Sequence, residues 1–145
     1  MFAKQLTVFI ENRTGRLAEV LNVLKENGVN ILSLSLADTT EFGLLRLIVD
    51  DASKGKEKLS ENGFSSLLSD VSIIEISHKV GSLQEILSAV DNKGVSIEYM
   101  YGLSFEADRA YVVLKVSNAE KIDAILNECG VRTLSCDELS KISKD

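Results

Sequence analysis

One short stretch of sequence occurs twice in this chain and decides its fold. Residues 12–17 read Asn-Arg-Thr-Gly-Arg-Leu, and residues 78–83 read His-Lys-Val-Gly-Ser-Leu, so that the two glycines stand 66 positions apart. A helical pattern follows each copy and ends in a second glycine, again with a spacing of 66. This repeat predicts two tandem domains, residues 1–69 and residues 70–145.

The order of predicted elements is the same in both halves. Alternating apolar residues predict strands, and apolar residues at i, i+3, i+4 and i+7 predict helices. In the first half the strands are expected at residues 5–11, 29–37, 42–49 and 64–68, and the helices at 16–27 and 52–62. In the second half the strands are expected at residues 71–77, 96–103, 110–116 and 131–134, with helical stripes at 83–90 and 122–129. The order β-α-β-β-α-β predicts an α+β fold of two ferredoxin-like units in tandem, each an antiparallel sheet with its helices on one face.

Composition narrows the classes of function. The 145 residues carry a formal charge of −6 with a pI near 4.9, which disfavours a nucleic-acid binder because such proteins need a basic surface. The sequence shows neither an apolar run of about eighteen residues nor a signal-peptide pattern, so we expect a cytoplasmic protein that does not bind membranes. Cys129 and Cys136 lack the spacing of zinc ligands, so no metal and no cofactor is expected.

Two local features modify the regular pattern. Gly55 falls inside the second predicted helix, where glycine costs about 1 kcal/mol relative to alanine. We therefore expect this helix to be short or mobile, with drift at an exposed edge favoured over a hinge as the cause. Leu32, Leu34 and Leu36 are expected to point to one side of their strand. Large apolar residues in both phases of the strands predict that the open faces of the sheets pack together, within the chain or in a homodimer.

The repeated loop has the chemistry of a site for a small anion. Gly15 permits a tight turn, and the first amides of the following helix are unpaired and lie at its positive end, so a carboxylate fits there without a basic side chain. Asn12 offers one acceptor and two donors beside this point. Asn30 is expected at the same end of the unit. The two asparagines together would hold the carboxylate and ammonium groups of a free amino acid.

These residues resemble a known family. Residues 11–17, followed by Gly-Val-Asn-Ile at 28–31, are similar to the ACT domain, a small-molecule regulatory module of amino-acid metabolism, and in particular to the serine-binding ACT domain of phosphoglycerate dehydrogenase. The resemblance covers nearly the whole chain as two ACT units, and residues 97–101 resemble the second repeat of small stand-alone tandem-ACT proteins. It implies that Asn12 and Asn30 bind an effector across an interface between ACT units.

The second copy departs from the first at its polar positions. His78 and Ser96 replace the two asparagines, and proline, which the family has before the glycine, is absent from both copies. One pocket would then pair the Asn12 loop with Ser96 and another the His78 loop with Asn30, so the pockets are chemically unequal. The candidate ligand-binding residues are Asn12, Arg13, Thr14, Gly15, Arg16, Leu17, Asn30 and Ile31 in the first unit and His78, Gly81, Ser82, Leu83, Ser96 and Ile97 in the second.

The resemblance implies a non-catalytic regulatory module. Its first partner would be a small-molecule effector, namely an amino acid. The others would be a second copy of the chain in a homo-oligomer and an enzyme regulated in trans. A dimerisation or interaction module with vestigial pockets is the alternative. An acylphosphatase-like enzyme is a poor third, because it would need an arginine cradle in the first loop and fold does not imply function. Arg13, Arg16 and Lys79 either assist an anion in these loops or are simply solvated.

Overall fold

The computed structural model describes residues 2–11, 15–38, 42–77, 79–106 and 109–143. The chain divides into two compact units. Of the described residues, the first unit contains those in 4–69 and 139–143, and the second contains those in 70–138 together with residues 2 and 3. No helix in the described ranges is long and apolar enough to cross a membrane.

The first unit is built on one antiparallel sheet. Its elements are β1 (Ala3–Glu11), α1 (Arg16–Glu26), β2 (Ile31–Asp38), β3 (Phe42–Val49), α2 (Ala52–Glu61) and the beginning of β4 (Ser66–Ser77). The strand order is β2-β3-β1-β4, and β1 and β2 both run antiparallel to β3. Side chains alternate along a strand, so Leu6, Val8 and Ile10 share the face of β1 that packs on Val20 and Leu24 of α1.

The second unit repeats this plan. After the remainder of β4 come α3 (Ser82–Asn92), β5 (Ile97–Glu106), β6 (Arg109–Val116), α4 (Ala119–Glu128) and β7 (Thr133–Leu134). The helix α5 (Cys136–Ser143) follows, and its residues from 139 onward belong to the first unit. The strand order is β7-β4-β6-β5, with antiparallel pairs throughout. Val90 of α3 and Ile122 of α4 pack with Ile74 and Leu114 of the sheet. The predicted α+β fold of two ferredoxin-like units, with helices on one face of each sheet, is confirmed.

Two elements differ from the sequence prediction. The strands expected at 64–68 and 71–77 form one strand, β4, because neither glycine nor proline interrupts residues 66–77. The last helix, α5, was not predicted. Ser135 and Glu138 form a capping box at its start: the Glu138 amide donates to Ser135 Oγ at 3.1 Å, and the Ser135 amide donates to Glu138 Oε1 at 3.3 Å. Serine followed by glutamate three residues later is a sequence signal for a helix start.

Gly55 has a packing role. The residue is buried in α2, and a Cβ atom added to it would lie 3.1 Å from Leu6 Cδ2 and 3.4 Å from Leu24 Cδ2. The expected drift at an exposed edge is therefore wrong, because the glycine lets α2 approach β1 and α1 closely. The helix is also not short, since α2 and its counterpart α4 both have 10 residues.

The three leucines of β2 do not form one row. A bulge interrupts the pairing of β2 with β3 between Ile31 and Ser33, and Leu32 beside it is only 8% exposed. Beyond the bulge, Leu34 pairs with Leu47 and Leu36 with Leu45. Their partners belong to the core beneath the helices. Leu34 and Leu36 therefore lie on the helix-bearing side of an edge strand, where they are 50% and 49% exposed. A bulge shifts the alternation of a strand. This explains why the expectation that all three leucines point to one side is wrong.

The face of each sheet that its helices leave open also contains buried residues. In the first unit, Gln5 and Ile48 are fully buried, and Gln5 Nε2 donates to Thr7 Oγ1 at 3.2 Å. In the second unit, Ile73 and Val113 are fully buried. Polar groups that leave water need partners, and the Gln5–Thr7 hydrogen bond supplies one. The packing of sheet on sheet, in one chain or between two, stays a prediction.

Candidate functional site

The two repeated loops end in the same backbone turn. Gly15 has a φ of 90° and Gly81 a φ of 87°, and each immediately precedes the first helix of its unit. This left-handed region is one that residues with a Cβ atom rarely adopt. In neither helix does a side chain of the described residues cap the N-terminus. The first-turn amides of α1 and α3 therefore remain as donors at the positive end of the helix dipole.

The second helix of each unit starts differently. Asp51 precedes α2, and its side chain accepts from the Lys54 amide at 3.1 Å. Asn118 precedes α4 and accepts from the Lys121 amide at 3.2 Å. These side chains occupy the place that an external anion would take. Among the described residues, uncapped helix starts that suit a small carboxylate thus occur at the predicted position in both units.

Four of the predicted site residues lie outside the described ranges: Asn12, Arg13, Thr14 and His78. Of the others, Gly15, Arg16 and Leu17 lie at the start of α1. Their counterparts in the second unit are Gly81, Ser82 and Leu83. These three residues line an open depression of about 520 Å³ at the start of α3.

The strand-start residues lie at the other end of the first helix. The Asn30 amide donates to Asp50 Oδ1 at 2.9 Å, and the Asp50 amide donates to the Asn30 carbonyl at 3.1 Å. Ser96 and Ser117 repeat this exchange at 3.0 and 2.8 Å. An α-helix rises 1.5 Å per residue, so the 11 residues of α1 separate Gly15 from Asn30 by about 16 Å. The expectation that Asn30 shares an end of the unit with the glycine turn is wrong.

The residues that follow the first helix of each unit lie partly at an open depression and partly against the core. Asn30 and Ile31 line an open depression of about 430 Å³ together with Lys25. Ile31 and Ile97 are partly buried and pack against the core of their own unit. Asn30 is exposed. Its backbone groups are taken by Asp50, so its side-chain amide is the part that can meet a ligand.

A pocket with aromatic and charged walls lies beside the start of α1. We call it the Arg16 pocket; it has a volume of about 270 Å³ and is lined by Phe9, Ile10, Glu11, Arg16, Phe42, Gly63 and Ser65. The guanidinium carbon of Arg16 lies 4.1 Å from the centroid of the Phe64 ring, and Nη1 donates to Glu19 Oε2 at 2.6 Å. Arg16 Nε is buried with no hydrogen-bond partner in the part of the chain that the structure describes. A buried donor without a partner costs about 1–3 kcal/mol.

The corresponding pocket of the second unit has different walls. This Arg132 pocket has a volume of about 520 Å³. Ser82 stands at the position of Arg16, 66 residues on, and its hydroxyl lies 2.8 Å from that of Ser77. Arg132 contributes the guanidinium here, with Nη1 3.3 Å from Glu75 Oε2 and Nη2 3.5 Å from Glu138 Oε2. The second pocket is lined by Glu75, Ile76, Ser77, Ser82, Glu85, Ile86, Cys129, Gly130, Val131 and Arg132.

Sequence reasoning missed the aromatic wall of the Arg16 pocket. Phe9 and Phe42 are 37% and 38% exposed, and their ring centroids lie 6.3 Å apart at an interplanar angle of 64°. The signal was present, because Phe9 falls in the polar phase of β1 between Val8 and Ile10. A large exposed aromatic residue in that phase is more informative than an apolar residue in the core. Within the described ranges, no group of three or more His, Cys, Asp or Glu residues could hold a metal ion.

Comparisons with known proteins agree with the repeat and the fold. The profile of a family described as an ACT domain pair matches residues 1–143. Protein BT0572 from Bacteroides thetaiotaomicron, known from its crystal structure, is 38% identical over 96% of this chain and 96% of its own, with a TM-score of 0.91. The ligand-free regulatory subunit of aspartate kinase from Thermus thermophilus shares the fold, with a TM-score of 0.64 and 22% identity over 88% of this chain and 90% of that one. No protein with a curated description matches. The predicted resemblance is confirmed, and the chain belongs to the family of ACT domain pairs.

Proposed function

We propose that this protein is a non-catalytic regulatory module that binds a free amino acid at a site between ACT units. The observation that carries the proposal is the pair of uncapped helix starts behind Gly15 and Gly81. Such a helix start binds a carboxylate through backbone amides and the helix dipole. The two domains of this module are residues 1–69 and residues 70–145, and its location is the cytoplasm.

The separation of the candidate residues determines how such a site is composed. Because the turn at Gly15 and the amide of Asn30 lie at opposite ends of α1, they cannot contact the same small ligand from one unit. A complete site therefore takes the glycine turn of one unit and the strand start of another, in one chain or in two. The Asn30 side chain donates and accepts, whereas Ser96 offers only a hydroxyl, so the two sites differ in affinity.

A thermal-shift screen of the full chain against the twenty amino acids tests this function. A ligand at 100 times its Kd stabilises the folded protein by about 2.7 kcal/mol, so a true effector raises the melting temperature in a concentration-dependent way. Lack of any shift with all twenty amino acids would contradict the proposal. An enzyme regulated in trans is the partner that such a module would act on.

Replacement of the candidate asparagines sharpens the test. We expect Asn30→Ala and Asn12→Ala each to weaken binding about tenfold, since a hydrogen bond to a charged group contributes about 1.5–3 kcal/mol. Asn30 is exposed, so its removal should leave the melting temperature of the free protein nearly unchanged. Asn22 is exposed on α1, where its side chain donates to Glu26 Oε1 at 3.1 Å, and it provides the control variant Asn22→Ala. Normal calorimetric binding by both site variants would show that the pocket is elsewhere.

A second candidate function is an interaction module whose pockets no longer bind. The observation that favours it is the half-exposed pair Leu34 and Leu36 on the edge strand β2. An edge strand presents unpaired backbone groups, and adjoining apolar side chains make it a place for a further chain. A stable dimer in sedimentation velocity, combined with no response to any amino acid, would favour this function over the first.

A further inference from the structure

We infer that the amino acid bound by the first unit has an apolar side chain, which lies in the Arg16 pocket against Phe9 and Phe42. Its carboxylate is bound at the start of α1, by the first-turn amides and Arg16, and its ammonium group lies beside Glu11. This inference rests on the proposed function, in which the ligand is an amino acid. It adds the class of side chain and the residues that select it.

The aromatic wall selects an apolar group. Phe9 on β1 and Phe42 at the start of β3 meet edge to face, with centroids 6.3 Å apart. More than a third of each side chain is exposed, so both rings still offer surface to a ligand. Apolar ligand atoms that cover this surface leave water, which is the main source of affinity in small pockets. The β1–β3 ladder sets Glu11 directly opposite Phe42.

Arg16 supplies the group that binds the carboxylate. Its side chain is only 16% exposed, and its guanidinium is held between the Phe64 ring at 4.1 Å and Glu19 at 2.6 Å. Stacking and ion pairing fix the planar group in one orientation, so little freedom is lost on binding an anion. Within the described ranges, Glu19 is its one hydrogen-bond partner. The other N–H donors of the fork have no partner among the described residues.

The size and charges of the pocket suit a single zwitterion. Glu11 lines the same pocket as Arg16, so a ligand there would meet both a carboxylate and a guanidinium. These are the partners that the ammonium and carboxylate groups of an amino acid need. A volume of about 270 Å³ is just below the range of pockets for drug-sized ligands. It is therefore adequate for an amino acid.

The second unit lacks these features at the same positions. Glu75 replaces Phe9, and Val131 replaces the stacking partner Phe64. Its guanidinium belongs to Arg132, which already pairs with Glu75 and Glu138. An apolar zwitterion would find no aromatic wall among the residues that line this pocket. The inferred side-chain selection is therefore a property of the first unit alone.

Isothermal titration calorimetry of the full chain tests the inference. We expect phenylalanine, leucine and methionine to bind at least tenfold more tightly than serine, asparagine and glycine. Phenylalanine amide, which lacks the carboxylate, should bind at least tenfold more weakly than phenylalanine. 3-Phenylpropionate, which lacks the ammonium group, should bind at least threefold more weakly.

Three variants locate the selecting residues. Arg16→Gln should weaken phenylalanine binding at least tenfold, and Phe42→Ala about fivefold. Phe2→Ala removes a ring of matching exposure, 36% against 38% for Phe42, from outside the pocket. It should bind as the unchanged protein does. Phe42→Ala keeps the test valid if Arg16→Gln fails to fold, because Phe42 is an exposed rim residue.

The possible failures are distinguishable. If serine or asparagine binds and phenylalanine does not, the apolar side chain is wrong while the proposed function stands. If phenylalanine binds but Phe42→Ala and Arg16→Gln bind it normally, the Arg16 pocket is not the site. If no amino acid binds at all, the proposed function fails and the inference fails with it.

Discussion

The two units share a backbone plan but differ in the chemistry placed on it. Each has the same strand order, and each starts its first helix behind a left-handed glycine. The pockets beside those helices both contain an arginine, yet Arg16 comes from a helix and Arg132 from the chain before β7. Arg16 stacks on an aromatic ring and pairs with Glu19 of its own helix, whereas Arg132 pairs with two glutamates. The repeat therefore preserves the positions of the two pockets without preserving the side chains that line them.

The largest expected effect concerns the second helix of each unit. Ile122 on α4 occupies the position of Gly55 on α2, 67 residues earlier, and is fully buried. Ile122→Ala should lower the free energy of unfolding by about 2–5 kcal/mol, because it leaves a cavity in the second core. Gly55→Val should lower it by about 1–3 kcal/mol for the opposite reason, since its Cβ would meet Leu6 at 3.1 Å.

Urea denaturation measures both changes. A lower midpoint with an unchanged slope reports a loss of stability. A stabilised Gly55→Val variant would show that α2 can move away from β1, and that the tight approach seen at Gly55 is not required. An Ile122→Ala variant as stable as the parent would show that the two helices have equivalent cores after all.

The glycine turns offer a test in which the units should behave alike. Gly15→Ala and Gly81→Ala place a Cβ at φ values of 90° and 87°. No atom lies within 4 Å of either added Cβ in the described structure, so the cost is backbone strain alone. Left-handed backbone costs a residue with a Cβ about 1–2 kcal/mol. Denaturation should give nearly the same loss for both variants, and a difference above about 1 kcal/mol would show that the turns are not equivalent.

Local sequence signals predicted the shared plan, and long-range contacts explain what they missed. The spacing of Gly15 and Gly81 is visible in the sequence, and a glycine before a helix has a direct conformational meaning. The bulge at Leu32 is not visible there, because it arises from how β2 pairs with β3. The stacking of Arg16 on Phe64 joins residues 48 positions apart. The Arg16 pocket therefore required the structure, while the helix starts did not.

The smallest expected change in stability accompanies the test of association. Leu34 on edge strand β2 and Met100 on edge strand β5 are corresponding positions, 66 residues apart, exposed by 50% and 36%. Leu36 adjoins Leu34, whereas Gly102 stands at the matching place beside Met100. Only the first edge therefore has a continuous apolar surface.

Leu34→Glu should halve the mass seen in sedimentation velocity, while Met100→Glu should leave it unchanged. Exposed substitutions of this kind change the free energy of unfolding by about 0.5 kcal/mol or less, so a change in mass would report lost association. An unchanged mass for Leu34→Glu would show that this edge does not join two chains.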